Sequence, residues 1–152
     1  MPLLMRDEPM LLAISRGVHG SHGGQFALPG GRPEPEDGGS WETARREAAE
    51  EIGLADGLRR LGFLGAYITR GTRYRVDVHV GWVEDPGQWT PDGVEIAGVL
   101  EVPLSVFERE RPALPPDVPA WDLPISLGFE FDAEPFLVAG ELAPRGAGHR
   151  LE

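Results

Sequence analysis

The sequence predicts an α/β/α sandwich, a mixed β-sheet with helices packed against it, on three observations. Short apolar runs of strand length recur between Gly/Pro turn signals; residues 41–52 gather apolar side chains on a helical arc; and Pro103 marks the start of a second short helix. At 152 residues the chain is sized for one domain, able to bury roughly two thirds of the surface its unfolded form exposes. We expect a single domain over 1–152, with a poorly defined tail from about residue 140.

In chain order, 10–15 (MLLAIS) and 25–28 (QFAL) read as short buried strands. The RGVHGSHGG run between them sustains neither period and is a candidate binding loop. Ser40 is the expected N-cap of a helix over 41–52, and Gly53 followed by Leu54 is a left-handed stop. Residues 62–69 and 74–84 read as a hairpin joined through Arg70-Gly71-Thr72-Arg73. There Val76, Val78, Val80 and Trp82 alternate with Arg75, Asp77 and His79, which predicts an apolar core face and a polar outer face. Turn signals in EDPGQWTPDG precede a strand at 96–102, and Pro103 suits the first turn of a helix. Residues 112–128 are proline-rich and read as a loop or cover, followed by weak strands at 129–132 and 135–139.

Charge and composition exclude several functions. The net charge of −11 disfavours nucleic acid and anionic membrane surfaces, which reward clustered positive charge. Small anionic substrates stay open, provided a local cation offsets the acidic field. All 14 basic side chains are Arg, which removes lysine nucleophiles and the P-loop lysine; the all-Arg usage suits bidentate phosphate binding but reads more simply as a compositional bias. With no Cys there is no thiol nucleophile and no cysteine zinc site, and His19, His22, His79 and His149 lack zinc-ligand spacing. The start shows neither a membrane-length apolar run nor a cleavable leader, so a cytoplasmic location is expected.

The 41–52 helix carries the chemistry. At about 100° per residue, Glu47, Glu50 and Glu51 share one face while Trp41, Ala48 and Ile52 form a separate apolar stripe. Like charges at these spacings repel, so the face needs compensation. A hard divalent cation provides it, since Mg²⁺ takes oxygen ligands and bridges carboxylates to substrate phosphates. Spacing alone leaves a second reading equally open, a solvated acidic face with Arg46 bridging Glu42 and Glu50.

The stretch from Leu28 to Leu54, LPGGRPEPEDGGSWETARREAAEEIGL, resembles the Nudix box: Gly, five residues, Glu, seven residues, Arg-Glu-apolar-x-Glu-Glu-x-Gly-apolar. Gly31 matches the glycine, Arg46-Glu47-Ala48 and Glu50-Glu51 the core, and Gly53-Leu54 the close. Asp37 stands where the box has its first glutamate, and one extra residue separates it from Arg46. In the family that acid supports the loop and the arginine. The resemblance implies a Nudix-type sandwich that hydrolyses diphosphates, with Mg²⁺ or Mn²⁺ held by Glu47, Glu50 and Glu51 and water attacking one phosphorus.

Outside the box, His22-Gly23-Gly24-Gln25 is similar to the His-x-Gly-Gln segment of coenzyme A pyrophosphatases. That branch shares the Asp, the one-residue lengthening, and a segment resembling Val94-Glu95 and Val102-Pro103-Leu104. The chain departs from it in a shorter Arg16-to-His22 spacing and in lacking a terminal Trp-Gly-x-Thr. The branch implies cleavage of coenzyme A to 4′-phosphopantetheine and 3′,5′-ADP, with His22, Gln25 and Gly31 toward the substrate. Arg32 is the first candidate phosphate clamp, with Arg70 and Arg73 behind it. The general base is left between Glu51 and Glu95. Two rivals stay open: hydrolysis of ADP-ribose or another nucleoside diphosphate derivative, and a non-catalytic nucleotide sensor. Assembly is also open, a homodimer included.

Overall fold

The computed structural model describes residues 1–17, 25–69, 73–109 and 137–140. Strands β1 (Pro2–Met5), β2 (Pro9–Arg16), β3 (Phe26–Ala27), β4 (Leu58–Ile68), β5 (Arg75–Val83), β6 (Ile96–Pro103) and β7 (Leu137–Gly140) form one sheet, accompanied by helices α1 (Ser40–Ile52) and α2 (Leu104–Arg109). Strand order is β4-β5-β1-β2-β6-β7, with β3 beside β2. The β1–β5 pair is parallel and the other pairs are antiparallel, so the sheet is mixed as the sequence predicts.

The expected strand at 10–15 runs over Pro9–Arg16, and the structure adds β1 ahead of it. β1 fills the gap between β2 and β5, pairing Leu3 with both Leu11 and Trp82. The expected helix after Pro103 is α2, and the last expected strand is β7; the strand at 129–132 and the cover at 112–128 lie outside the described residues.

One core packs α1 on the sheet through Ala48, Ile52, Leu4, Leu12, Ile14, Val83, Ile96 and Val99. Each buried Leu, Ile or Val contributes about 1.5–3 kcal/mol relative to exposure. A second cluster joins Leu100 and Val102 to Ala13, Val106, Phe107 and Leu137, which brings in α2. Trp41, Ala48 and Ile52 behave as the helical arc predicts, Trp41 half-buried and the other two fully buried.

Three local expectations are corrected. The strand expected to be buried over 25–28 is reduced to Phe26–Ala27, paired with Ile14 and Ser15 of β2, and Phe26 is exposed. Ser40 is not the N-cap: Gly39 occupies that position with no side-chain cap, and Ser40 Oγ instead lies 2.8 Å from His79 Nε2. The hairpin alternation is real, but its faces are not divided as expected. His79 and Val83 are buried, while Val76 is 41% exposed. The reason is that His79, Gly81 and Val83 lie on the same side of β5 as α1, with Trp41 edge-on to His79 at 5.8 Å. Among the described residues, no helix is long and apolar enough to cross a membrane.

Candidate functional site

The site forms where the glycine turn before α1 meets the middle of that helix. Gly30 N–H donates to Glu51 Oε2 at 2.8 Å. Next to it, a Cβ built on Gly31 would overlap the Glu47 carboxylate, so only glycine lets the backbone approach there. Glycine loop and glutamates are therefore in contact, which the box spacing implies without showing.

The three helix glutamates have different surroundings. Glu51 is 6% exposed. Burial pushes its carboxyl up to about 7; the Gly30 N–H and Arg16 oppose this, and Glu47 and Glu95 add to it. Glu47 accepts a bond from Arg46 at 3.0 Å, and Glu50, largely exposed, pairs with Arg46 at 2.9 Å.

Arg46 is the hub of the outer side. Its guanidinium also donates to Asp37 Oδ1 at 3.2 Å, to Asp37 Oδ2 at 3.3 Å and to the Arg32 carbonyl at 2.8 Å. Asp37 further accepts from Glu34 N–H and Thr43 Oγ, both at 2.9 Å. The Glu34 N–H and the guanidinium hold the Asp37 carboxyl below the usual range, and Asp37 raises the Arg46 pKa in turn. Asp37 thus touches both loop and arginine despite the extra residue between them. The Arg46–Glu50 pair weighed for a solvated face is present, but Arg46 turns to Asp37 where Glu42 was the other candidate.

The remaining predicted residues are spread around this centre. Glu95 is exposed, and its carbonyl accepts from Gly17 N–H at 2.8 Å. Gln25 is exposed, its carbonyl accepting from Arg16 N–H at 3.0 Å. Arg32 reaches Tyr74, and Arg73 is exposed with φ 55°. Gly53 ends α1 at φ 75°, its N–H bonded to Ala49 O at 3.0 Å. His22 and Arg70 lie outside the described residues.

Three further sets of contacts had little or no signal in the sequence. Asp92 Oδ1 accepts from the N–H groups of Val94, Glu95 and Ile96 at 2.8–2.9 Å, shaping the turn that presents Glu95. Thr90 N–H donates to Ile52 O at 3.1 Å, tying that turn-rich segment to the end of α1. Trp89 Nε1 bonds buried Glu101, itself paired with Arg6 at 2.7 Å. An Asp two residues before a turn is a weak hint of an Asx turn; the other two have no local signature.

As the side chains stand, no group of three or more His, Cys, Asp or Glu among the described residues is arranged around a metal position. The donor set nonetheless fits a hard divalent cation: a nearly buried carboxylate, raised by burial and by two acidic neighbours, with the glycine backbone cradling one of them. The arrangement offers oxygen donors, exposed arginine and nearby carboxylates, the parts needed to bind an anionic phosphate group through a cation.

A family model described as the NUDIX domain matches residues 2–122. An "Uncharacterized Nudix hydrolase NudL" of Yersinia enterocolitica is 39% identical over 105 residues, covering 68% of this chain and 53% of the relative. The protein of the same name from Yersinia pestis is 38% identical over 105 residues, covering 68% and 52%. The chain spans about half the length of these curated relatives. Among solved structures, a C. elegans Ap4A hydrolase binary complex aligns with TM-score 0.56 at 15% identity, over 70% of this chain and 81% of that one. A MutT protein from Methanosarcina mazei Go1 aligns at 0.56 and 20% identity, over 70% and 75%. The NUDIX domain of Shewanella oneidensis NrtR, complexed with ADP ribose, aligns at 0.52 and 17% identity, over 71% and 73%. At these identities the structures speak for the fold alone.

Proposed function

The chain belongs to the Nudix family, and from that premise we propose that it is a metal-dependent pyrophosphohydrolase whose substrate is coenzyme A or a close derivative. The observation that carries the hydrolase reading is the contact between glycine loop and helix: Gly30 on Glu51, and Gly31 against Glu47. Glu47, Glu50 and Glu51 would hold Mg²⁺ or Mn²⁺. When bound, such a cation neutralises charge developing on the phosphates and lowers the pKa of water, worth several kcal/mol of barrier.

The chain's own residues supply the rest. Arg32 binds a phosphate oxygen, since an exposed guanidinium beside the glycine loop can offer two N–H groups side by side. Glu95 or Glu51 accepts the proton of the attacking water, whose oxygen adds to one phosphorus as the bridging P–O bond breaks. The other phosphate leaves with the bridging oxygen. Glu50 reaches a cation only by leaving Arg46, so it ranks below Glu47 and Glu51 as a ligand.

The coenzyme A reading is supported by the Gln25 segment, by Asp37 with its extra residue, and by Val94-Glu95 followed by Val102-Pro103-Leu104. A substrate this anionic meets a chain of −11, so binding depends on the cation and on a few placed arginines. The test is a panel of coenzyme A, ADP-ribose, NADH and Ap4A with Mg²⁺ or Mn²⁺, products identified by mass. Coenzyme A should yield 4′-phosphopantetheine and 3′,5′-ADP, and chelator should abolish the reaction. A kcat/KM for ADP-ribose about a hundred times that for coenzyme A, a gap of about 2.7 kcal/mol, would reject the substrate assignment and keep the hydrolase.

A further inference from the structure

We propose that Tyr74 is a positioning residue for Arg32, so that the end of the β4–β5 hairpin sets how firmly the substrate's phosphates are held; this rests on the diphosphate-hydrolase reading above. Arg32 Nη2 donates to Tyr74 Oη at 2.9 Å, and the guanidinium carbon lies 5.1 Å from the centre of the Tyr74 ring. The two residues are 42 positions apart, Arg32 in the glycine loop before α1 and Tyr74 just before β5.

Both ends of this bridge are anchored by their backbones. The Arg32 carbonyl is held by Arg46 at 2.8 Å, within the network that also binds Asp37 and Glu47. Tyr74 N–H donates to Thr69 Oγ, and Thr69 N–H donates to Tyr74 O, each at 2.9 Å. Arg73, in the left-handed region at φ 55°, donates its N–H to Thr69 O at 3.0 Å, next to Tyr74. The aromatic ring is therefore aimed by the hairpin, and Arg32 settles on it.

The chemistry of the pair points to substrate rather than to stability. Tyr74 is 52% exposed and Arg32 is exposed, and an exposed cation–π contact adds little to folding. Arg46 divides its charge among Asp37, Glu47 and Glu50, whereas the partner of the Arg32 guanidinium is a neutral phenol. Among the described residues no carboxylate forms an ion pair with the Arg32 guanidinium, so its charge is available to an anion. Of its five N–H donors one goes to Tyr74, which leaves enough for a side-by-side pair on a phosphate. A free arginine side chain loses much rotamer freedom on binding phosphate; one already held by Tyr74 loses less, and the gain appears as affinity.

The experiment is a double-mutant cycle on the full chain: Tyr74→Leu, Tyr74→Phe, Arg32→Ala and the Tyr74→Leu/Arg32→Ala pair. Kinetics are measured with whichever of coenzyme A, ADP-ribose, NADH and Ap4A the chain cleaves best. Binding of uncleavable α,β-methylene-ADP is measured by calorimetry. Tyr74→Leu should raise KM and weaken analogue binding about fivefold with kcat within about twofold, and Tyr74→Phe, which keeps the ring, should fall between. In the Arg32→Ala background the same Tyr74→Leu change should alter KM by less than about 1.5-fold. Equal effects in the two backgrounds overturn the inference, because Tyr74 then acts independently of Arg32. An unchanged KM in Tyr74→Leu overturns it as well. If the parent chain cleaves none of coenzyme A, ADP-ribose, NADH and Ap4A and binds no analogue, the hydrolase reading itself fails, and the positioning role falls with it.

Discussion

On one side of helix α1, the Glu50 side chain is 59% exposed and shares Arg46 with Asp37 and Glu47; on the other, Glu51 is 6% exposed and bonded to a backbone N–H of Gly30. Neighbouring residues of the same type thus carry different electrostatic burdens. Outside, water and a guanidinium compensate the charge, and each exposed pair contributes little to stability. Inside, the carboxylate is largely shielded from solvent and Glu47 and Glu95 add repulsion, so its charged form is disfavoured unless a cation or a proton offsets it. A row of glutamates is therefore not one functional unit, and their burial ranks them.

The sharpest way to break this ranking is Glu51→Gln. Turnover should fall at least about a hundredfold, since one preorganised electrostatic element is lost. The amide oxygen still accepts from Gly30, and a desolvated charge disappears. In chelator at pH 8, thermal unfolding should occur no lower than in the parent chain. Near-normal turnover would reduce the inner side to a structural carboxylate.

Gly31→Ala attacks the contact between the two sides. The new methyl group overlaps the Glu47 carboxylate and must displace it, so turnover should drop about tenfold to a hundredfold. Unchanged kinetics would mean that Glu47 moves aside freely. Glu50→Gln should cost about tenfold or less, because Glu50 is exposed and already engaged by Arg46. A loss equal to that of Glu51→Gln would erase the distinction between the sides.

The smallest effect is on pH dependence at the N-terminal end of the helix, where His79 meets Ser40. Burial, then Arg60, lowers the His79 pKa from 6.5, while Asp77 and Glu42 pull weakly the other way. The unfolded chain therefore binds the proton more readily than the folded one, and stability falls as pH drops below about 6.5 toward the folded value. Urea midpoints between pH 8 and pH 5 should show a shallower acid loss in His79→Gln than in the parent chain. Identical slopes would mean that His79 protonates without cost.

What the sequence determined by itself is what neighbouring residues decide. The 41–52 helix and its stop at Gly53, the strands expected at 10–15, 74–84 and 96–102, and the shared origin of Glu47, Glu50 and Glu51 follow from periodicity, turn chemistry and box spacing, while the parallel pair that makes the sheet mixed needs β1, which only the structure supplies. Only the tertiary structure decided which glutamate is buried, because that depends on Gly30 packing back across 21 positions. It also decided that Ser40 turns to His79, 39 positions away, rather than capping its own helix. It joined Arg32 to Tyr74, and Arg6 to Glu101 across 95 positions. These contacts join loop, helix and strand residues far apart in the chain, so the packing of the whole fold sets them; for residues on a strand, shifting the register by one residue would send every side chain to the opposite face.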